Sequence, residues 1–240
     1  KTIFNQFKPN AVFGVGGYSS FPVLRFAQSK GIPTFIHESN AFAGKANQWL
    51  GKKATKIFTG TKGMEQFFPA DKILITGNPV RQNIANGATE KEAALLQFGL
   101  LPNHFTILII GGSLGAASIN KAIQQNLAAF EKMGVQLIWQ TGKPNASTYK
   151  AAAEDYGNVY VDSFIQDMSA AYTAADMVVS RSGAMAVAEI AITGKACIFV
   201  PYPHAAEDHQ TFNAKVLVDE NAAQMIADKH VVEDLFPMIE

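Results

Sequence analysis

Short apolar runs alternate along this chain with longer stretches in which apolar residues recur at helical spacing. The runs predict strands over residues 11–15, 33–37, 56–59 and 73–76, and again over 105–110, 135–141, 159–161, 177–180, 196–200 and 223–226. The stretches between them predict helices over residues 22–30, 45–52, 90–98, 117–133, 168–174, 184–193 and 209–219. Strands separated by helix-sized segments make parallel βαβ units, because a parallel neighbour is reached only through a crossover. The pattern therefore predicts an α/β protein built on doubly wound parallel sheets. Gly77-Asn78-Pro79-Val80-Arg81 is rich in turn formers and divides it. The six strands beyond this break suffice for a complete doubly wound domain over residues 82–240. Residues 1–81 supply about four strands, the second half of such a domain, and the opening KTIFNQFKP reads as the end of a helix.

Charge sharpens the division. The 240 residues carry no net charge, yet residues 1–81 hold eleven Lys and Arg against three acidic residues, a net +8. The remainder holds nine against seventeen, a net −8. A basic first part suits an anionic partner, such as a membrane surface or a diphosphate, or else is a solvated surface of uneven charge. Nucleic acid is disfavoured, since no aromatic-rich basic stripe or known binding module is present. A hydrophobic fraction of 48% with 17% charged residues fits an ordinary α/β protein with sizeable cores. Cys197 is the single cysteine, so no disulfide forms within the chain, which suits a reducing compartment. No apolar run approaches the ~20 residues that a membrane-crossing helix needs.

Candidate chemistry concentrates where strands end. In the stretch 177–210, an apolar strand runs into Arg181-Ser182-Gly183-Ala184 and then a helix. The first amides of a helix lack partners and carry the positive end of its dipole, so Ala184 and Met185 open an anion site. Glu189, one and a half turns further, is placed to accept hydrogen bonds from a diol such as ribose. Gly111-Gly112-Ser113-Leu114-Gly115-Ala116 makes a second glycine turn, with Ser113 as a donor to phosphate oxygens. Two such turns in one domain favour a nucleotide over a turn made tight for its own sake. Arg81 and Arg181 are candidate bidentate phosphate clamps. His204, Glu207, Asp208, His209 and Gln210 follow the next strand, and their spacing matches polar contacts to a nucleotide or sugar better than a zinc pattern. No Asp-x-Asp pair offers a metal–diphosphate site, so no metal or other cofactor is expected. His37-Glu38-Ser39-Asn40 ends another strand. His37 and Glu38 are candidate acid–base residues, or else His37 packs while Glu38 and Asn40 cap the next segment. Trp49 and Trp139 read as core.

Taken together, GGYSSFP, HESNAFAGKAN, ITGNPVR, IIGGSLGAASIN, SFIQDM and SRSGAMAVAEIAITGKACIFVPYPHAAEDHQTFNA resemble glycosyltransferase family 28, the GT-B transferases of bacterial peptidoglycan synthesis. The resemblance spans nearly the whole chain in order. It implies a GT-B fold of two Rossmann-like domains, with residues 1–81 an incomplete acceptor and membrane-side domain. Its residues 77–81 would be the linker and 82–240 the UDP-GlcNAc domain. It further implies inverting transfer of N-acetylglucosamine to the C4 hydroxyl of the muramyl sugar of undecaprenyl-diphosphate-linked lipid I, giving lipid II. The setting implied is the cytoplasmic face of the bacterial plasma membrane, with anionic lipid and cell-wall synthesis proteins as partners. On this reading the Ile165 backbone reads uracil and Glu189 holds the ribose. Arg81, Ser113, Ala184 and Met185 face the diphosphate, while His209 and Gln210 meet the donor sugar. Tyr18, His37, Glu38, Asn40 and Asn120 line the acceptor cleft. In the family a glycine-rich loop ending in His precedes the first of these motifs and supplies a candidate base, and helices follow the last. The resemblance thus places the catalytic base before Lys1, ahead of the candidates His37 and Glu38. The 240-residue chain is accordingly expected to bind UDP-GlcNAc and to turn over poorly. The alternatives weighed are another GT-B sugar-nucleotide enzyme, such as a UDP-GlcNAc 2-epimerase or a glycolipid transferase, and a nucleotide-binding module without catalysis.

Overall fold

A computed structural model describes residues 2–87, 90–112 and 114–240. The first unit opens with helix α1 (Thr2–Phe7) and alternates strands β1 (Val12–Gly14), β2 (Thr34–Glu38), β3 (Lys56–Thr59) and β4 (Ile73–Ile75) with helices α2 (Gly17–Ser29) and α3 (Lys45–Gly51). Its strands are parallel in the order β1-β2-β3-β4. Alternation puts Ile36 and Ile57 on one sheet face, where they are buried with Leu24 and Ala27 of α2 and Leu50 of α3. Helix α2 begins at Gly17, before the expected residue 22. Pro22 reads as a helix start but lies inside the helix. The carbonyl it fails to serve is that of Tyr18, a residue 99% exposed, so water can satisfy it.

The second unit contains β5 (Thr106–Ile110), β6 (Gln136–Gln140), β7 (Val159–Asp162), β8 (Met177–Ser180), β9 (Ala196–Phe199) and β10 (Gln224–Met225). Its helices are α4 (Gln82–Asn86), α5 (Lys91–Gln97), α6 (Ala117–Gln125), α7 (Leu127–Lys132), α8 (Ala146–Ala153), α9 (Met168–Ala174), α10 (Ala184–Thr193), α11 (His209–Val218) and α12 (Val231–Ile239). All six strands are parallel in the order β10-β9-β8-β5-β6-β7. Every residue of β5 is buried. Ile107 and Ile109 pack into the layer of α6, α7, α8 and α12, and Leu108 and Ile110 into that of α5, α9, α10 and α11. Ile84 of α4 joins the second of these layers, so the chain just past Arg81 packs with the second core.

The helix expected over residues 117–133 is two helices, because the Asn126 side chain donates to the Ala122 carbonyl at 2.8 Å and its backbone leaves helical geometry at φ −115°. Helices α4, α8 and α12 add to the expected set; α12 packs on α6, with Phe236 edge-on to Phe130 of α7 at 5.2 Å. Trp139 is fully buried, whereas Trp49 is 42% exposed, with the Arg25 guanidinium 4.4 Å from its ring centre. Trp49 is thus a surface residue held by a cation rather than a core one.

Candidate functional site

From β5 the chain builds outward through β6 and β7, then crosses back to β8, so the strand order reverses between β5 and β8. At such a switch point the two following loops part and leave a crevice at the strand carboxyl ends. A cleft of about 450 Å³ lies there, walled by Ile110, Gly112 and Gly115 after β5 and by Ser180 and Gly183 after β8, with Tyr202 and Gln210 over it.

Close backbone contact shapes the β5 wall. Gly115 has φ 74°, and a Cβ on it would fall 2.1 Å from the Thr141 carbonyl oxygen. The turn after β5 therefore rests on the turn after β6, main chain against main chain. Ser113, expected to donate to phosphate, lies outside the described residues.

Helices α6 and α10 both start at the cleft without a side-chain cap, at Ala116 and Gly183. Their first intrahelical bonds are Asn120 N to Ala116 O at 2.8 Å and Val187 N to Gly183 O at 3.0 Å. The amides of Ala184, Met185 and Ala186 consequently have no helical acceptor, and Gly183 and Ala186 line the cleft. Amide donors plus the dipole favour an anion.

Glu189 stands in the second turn of α10. Tyr172 of α9 donates to its Oε2 at 3.2 Å, and Arg81 Nη2 approaches Oε1 at 3.6 Å. Burial, and then the charge on Glu189, push the Tyr172 hydroxyl well above the usual tyrosine range, so it remains a donor. Arg81 joins Glu189 rather than standing free for phosphate, but its side chain is 58% exposed and can leave.

Arg181, expected as a phosphate clamp, is held by protein groups. Its Nη1 meets Asp228 Oδ1 at 2.5 Å and donates to the carbonyls of Val200 at 3.0 Å and Pro201 at 3.1 Å, while Nη2 donates to Ser118 Oγ at 3.2 Å. Its fork is spent on protein groups. Arg181 fixes the loop after β9, stands 5.7 Å from the Tyr202 ring and also lines the cleft. Ile165, expected to read uracil through its backbone, has one of its two main-chain groups engaged. Its buried N–H donates to Gln140 Oε1 at 2.9 Å, so its carbonyl is the backbone group left for a base. Gln140 also donates to the Gly112 carbonyl at 3.3 Å, linking the SFIQDM segment to the glycine turn.

Gln210 lines the cleft and accepts from the Tyr202 amide at 3.0 Å. His209 lies 2.8 Å from the Ala206 carbonyl through Nδ1. A carbonyl can only accept, so Nδ1 is the donor there. Just before it, Glu207 and Asp208 both hold left-handed φ, 56° and 53°, a strained pair of the kind kept near working sites. Among the described residues no three His, Cys, Asp or Glu side chains converge as metal ligands, and Glu207 pairs instead with Lys45 at 3.4 Å.

On the acceptor side His37 lines a cleft of about 390 Å³ with Phe13, Val15, Phe58 and Gly77, while Glu38 ties down the segment after β2, which is the capping alternative of the two readings. His37 Nε2 meets the Gly77 carbonyl at 3.2 Å, which places its proton there, and Nδ1 therefore accepts from Ser39 Oγ at 3.2 Å. Glu38 is 4% exposed. Its Oε1 accepts from Asn40 N and Nδ2, and its Oε2 from Gly44 N and Asn47 Nδ2 at 2.8 Å. A carboxylate with four donors is a loop tie, so neither His37 nor Glu38 stands ready as a base. Lys1, before which the sequence reading puts the base, lies outside the described residues, so the structure gives that group no position. Asn40 Oδ1 accepts from Asn213 at 3.1 Å. Asn120 is buried in the second unit, donating to the Thr141 carbonyl at 2.8 Å and accepting from Trp139 Nε1 at 2.9 Å. Tyr18 is almost fully exposed. Sequence reasoning missed Ala186, Tyr202, Tyr172 and Gln140. Only Tyr202, lying in the same polar loop as Gln210, carried a signal that a closer reading could have used.

Two parallel α/β units, the second with an uncapped helix start at its switch point and a carboxylate one turn inside that helix, define a GT-B glycosyltransferase fold. Residues 106–240 match the C-terminal domain of glycosyltransferase family 28 and residues 1–59 its N-terminal domain, and the chain belongs to that family. It is 50% identical, over 99% of its length, to a UDP-N-acetylglucosamine–N-acetylmuramyl-(pentapeptide) pyrophosphoryl-undecaprenol N-acetylglucosamine transferase from Parabacteroides distasonis, and spans 65% of that relative. The crystal structure of MurG from Acinetobacter baumannii superposes with a TM-score of 0.77 at 32% identity, over 99% of this chain and 67% of that one. A UDP co-structure of MnaA from S. aureus superposes with a TM-score of 0.70 at 11% identity, over 100% of this chain and 69% of that one, a likeness of fold alone.

Proposed function

We propose that this chain carries the UDP-N-acetylglucosamine site of an inverting transferase that glycosylates the C4 hydroxyl of the muramyl sugar of lipid I, giving lipid II. The observation that carries the reading is the meeting of two uncapped helix starts over glycine turns, with Glu189 held by Tyr172 one turn inside α10. The diphosphate sits on the amides of Ala184–Ala186, and Arg81 exchanges Glu189 for a phosphate oxygen as the ribose diol takes the carboxylate. The Ile165 carbonyl and Gln210 address the base and the sugar.

Chemistry is a direct displacement. The acceptor oxygen bonds to the anomeric carbon as the bond from that carbon to the diphosphate oxygen breaks, and UDP leaves with the electron pair. The seat meets the charge that grows on the leaving oxygen, without a metal being required. The acceptor proton passes to a base that lies outside the residues assigned above. The net +8 of residues 1–81 supports peripheral binding to an anionic cytoplasmic membrane face, where the lipid-linked acceptor resides. Calorimetry with UDP-N-acetylglucosamine, UDP and ADP tests the donor half: UDP binds at least tenfold more tightly than ADP, and equal affinities end the reading.

A further inference from the structure

The two units meet chiefly through loops, and the void between them is telling. A cavity of about 100 Å³ lies there, with Ser39, Gly60, Thr61 and Asn78 on one side and Ala184, Val187 and Asn213 on the other. Side chains do not fill the seam, so hydrogen bonds rather than close packing set how the loop after β2 sits on the start of α10.

Two amide side chains make those bonds. Asn213 of α11, only 2% exposed, accepts from the Ala41 amide at 2.7 Å and donates to Asn40 Oδ1 at 3.1 Å and to the Ser182 carbonyl at 3.2 Å. Asn78, in the linker, donates to the Ser39 carbonyl at 3.0 Å and to the Ala184 carbonyl at 3.4 Å. Both therefore clasp the same two segments: Ser39–Ala41, which Glu38 ties down, and Ser182–Ala184, which forms the anion seat. The remaining links are weaker guides to position. The Phe42 and Phe212 rings stand 4.9 Å apart, and Lys45, 87% exposed, pairs with Glu207.

Resting on the donor reading above, we infer that Asn213 and Asn78 are positioning residues that transmit occupancy of the anion seat to the loop after β2. A diphosphate that orders Ser182–Ala184 orders the Asn213 and Asn78 amides with it, and these fix Ser39–Ala41 across the seam. The donor is then read at the acceptor side by main-chain placement, although neither asparagine lines the diphosphate cleft.

Hydrogen exchange of the protein with and without UDP, beside calorimetry, tests this. In the unsubstituted protein UDP slows exchange over residues 39–44 about tenfold. In Asn213→Ala, UDP affinity stays within about threefold while the UDP-dependent slowing falls below about twofold. Asn78→Ala, in the more open linker, behaves alike and carries the test if Asn213→Ala does not fold. Only the UDP-dependent part of the exchange counts, because a merely structural role would change the rate without ligand and leave that part intact. Binding of UDP with no slowing at residues 39–44, or slowing that persists in both variants, overturns the coupling alone. Failure of UDP to bind the unsubstituted protein overturns the donor reading and the coupling with it.

Discussion

The hydroxyl of Tyr172 donates to Glu189 Oε2 at 3.2 Å from a ring that is 2% exposed, so the phenol dictates how the carboxylate is turned. Glu189→Ala is expected to weaken UDP binding by about 1.5–3 kcal/mol, as for loss of a charged hydrogen-bond partner. Tyr172→Phe keeps the charge but frees its orientation and costs about 1 kcal/mol. Calorimetry on folded variants measures both, and an unchanged affinity for Glu189→Ala would refute its ribose role.

Arg181 and Asp228 are mostly buried, with 13% and 20% of their side chains exposed. Asp228→Ala strands a guanidinium among carbonyls and should lower stability by about 3 kcal/mol in urea unfolding. Arg181→Lys does not restore the four-partner fork and stays well below the parent. A stability loss under about 1 kcal/mol in either variant would return Arg181 to the role of ligand clamp.

Gly112 and Gly115 share left-handed φ, 79° and 74°, but differ in what surrounds them. Among the described residues, nothing beyond its chain neighbours lies within 4 Å of a Cβ built on Gly112, while Thr141 O is 2.1 Å from one on Gly115. Gly112→Ala should cost about 1 kcal/mol of backbone strain. Gly115→Ala must push two main chains apart and is expected to cost well over about 3 kcal/mol and to abolish UDP binding. Equal Tm shifts for the two variants would contradict the contact.

Burial pushes the Cys197 thiol above its usual range. The unfolded chain, with a thiol pKa near about 8.5, then loses this proton first. Stability from this group is complete below that pH and declines as pH rises past it, by up to about 1.4 kcal/mol per pH unit. Urea midpoints between pH 8 and 10 should fall more steeply for the parent than for Cys197→Ala. In the native protein the thiol should resist aromatic disulfide reagents.

Strands and helices with clear punctuation were legible in the amino-acid pattern. Met177–Ser180 and Ala184–Thr193 stand at their expected bounds, because an all-apolar run ends on Arg181-Ser182-Gly183 and the helix closes on Gly194. The uncapped start of α10 was legible for the same reason, since unpaired main-chain amides follow wherever a helix begins. The partners of polar side chains were not. Arg181 in a βα turn reads as a clamp until Asp228, far along the chain, is seen beside it. Nothing in the pattern showed that Asn213 and Trp139 are partners of Asn40 and Asn120. Periodicity reports which face is buried and carries nothing about which distant group a polar atom meets.

The seat on Ala184–Ala186 offers only peptide N–H groups, and every residue except proline has one. A point substitution there changes bulk without deleting a donor. An inhibitor that gripped these amides alone would leave few escape routes by mutation, whereas one that leaned on Tyr202 or Gln210 could be evaded by a single codon change.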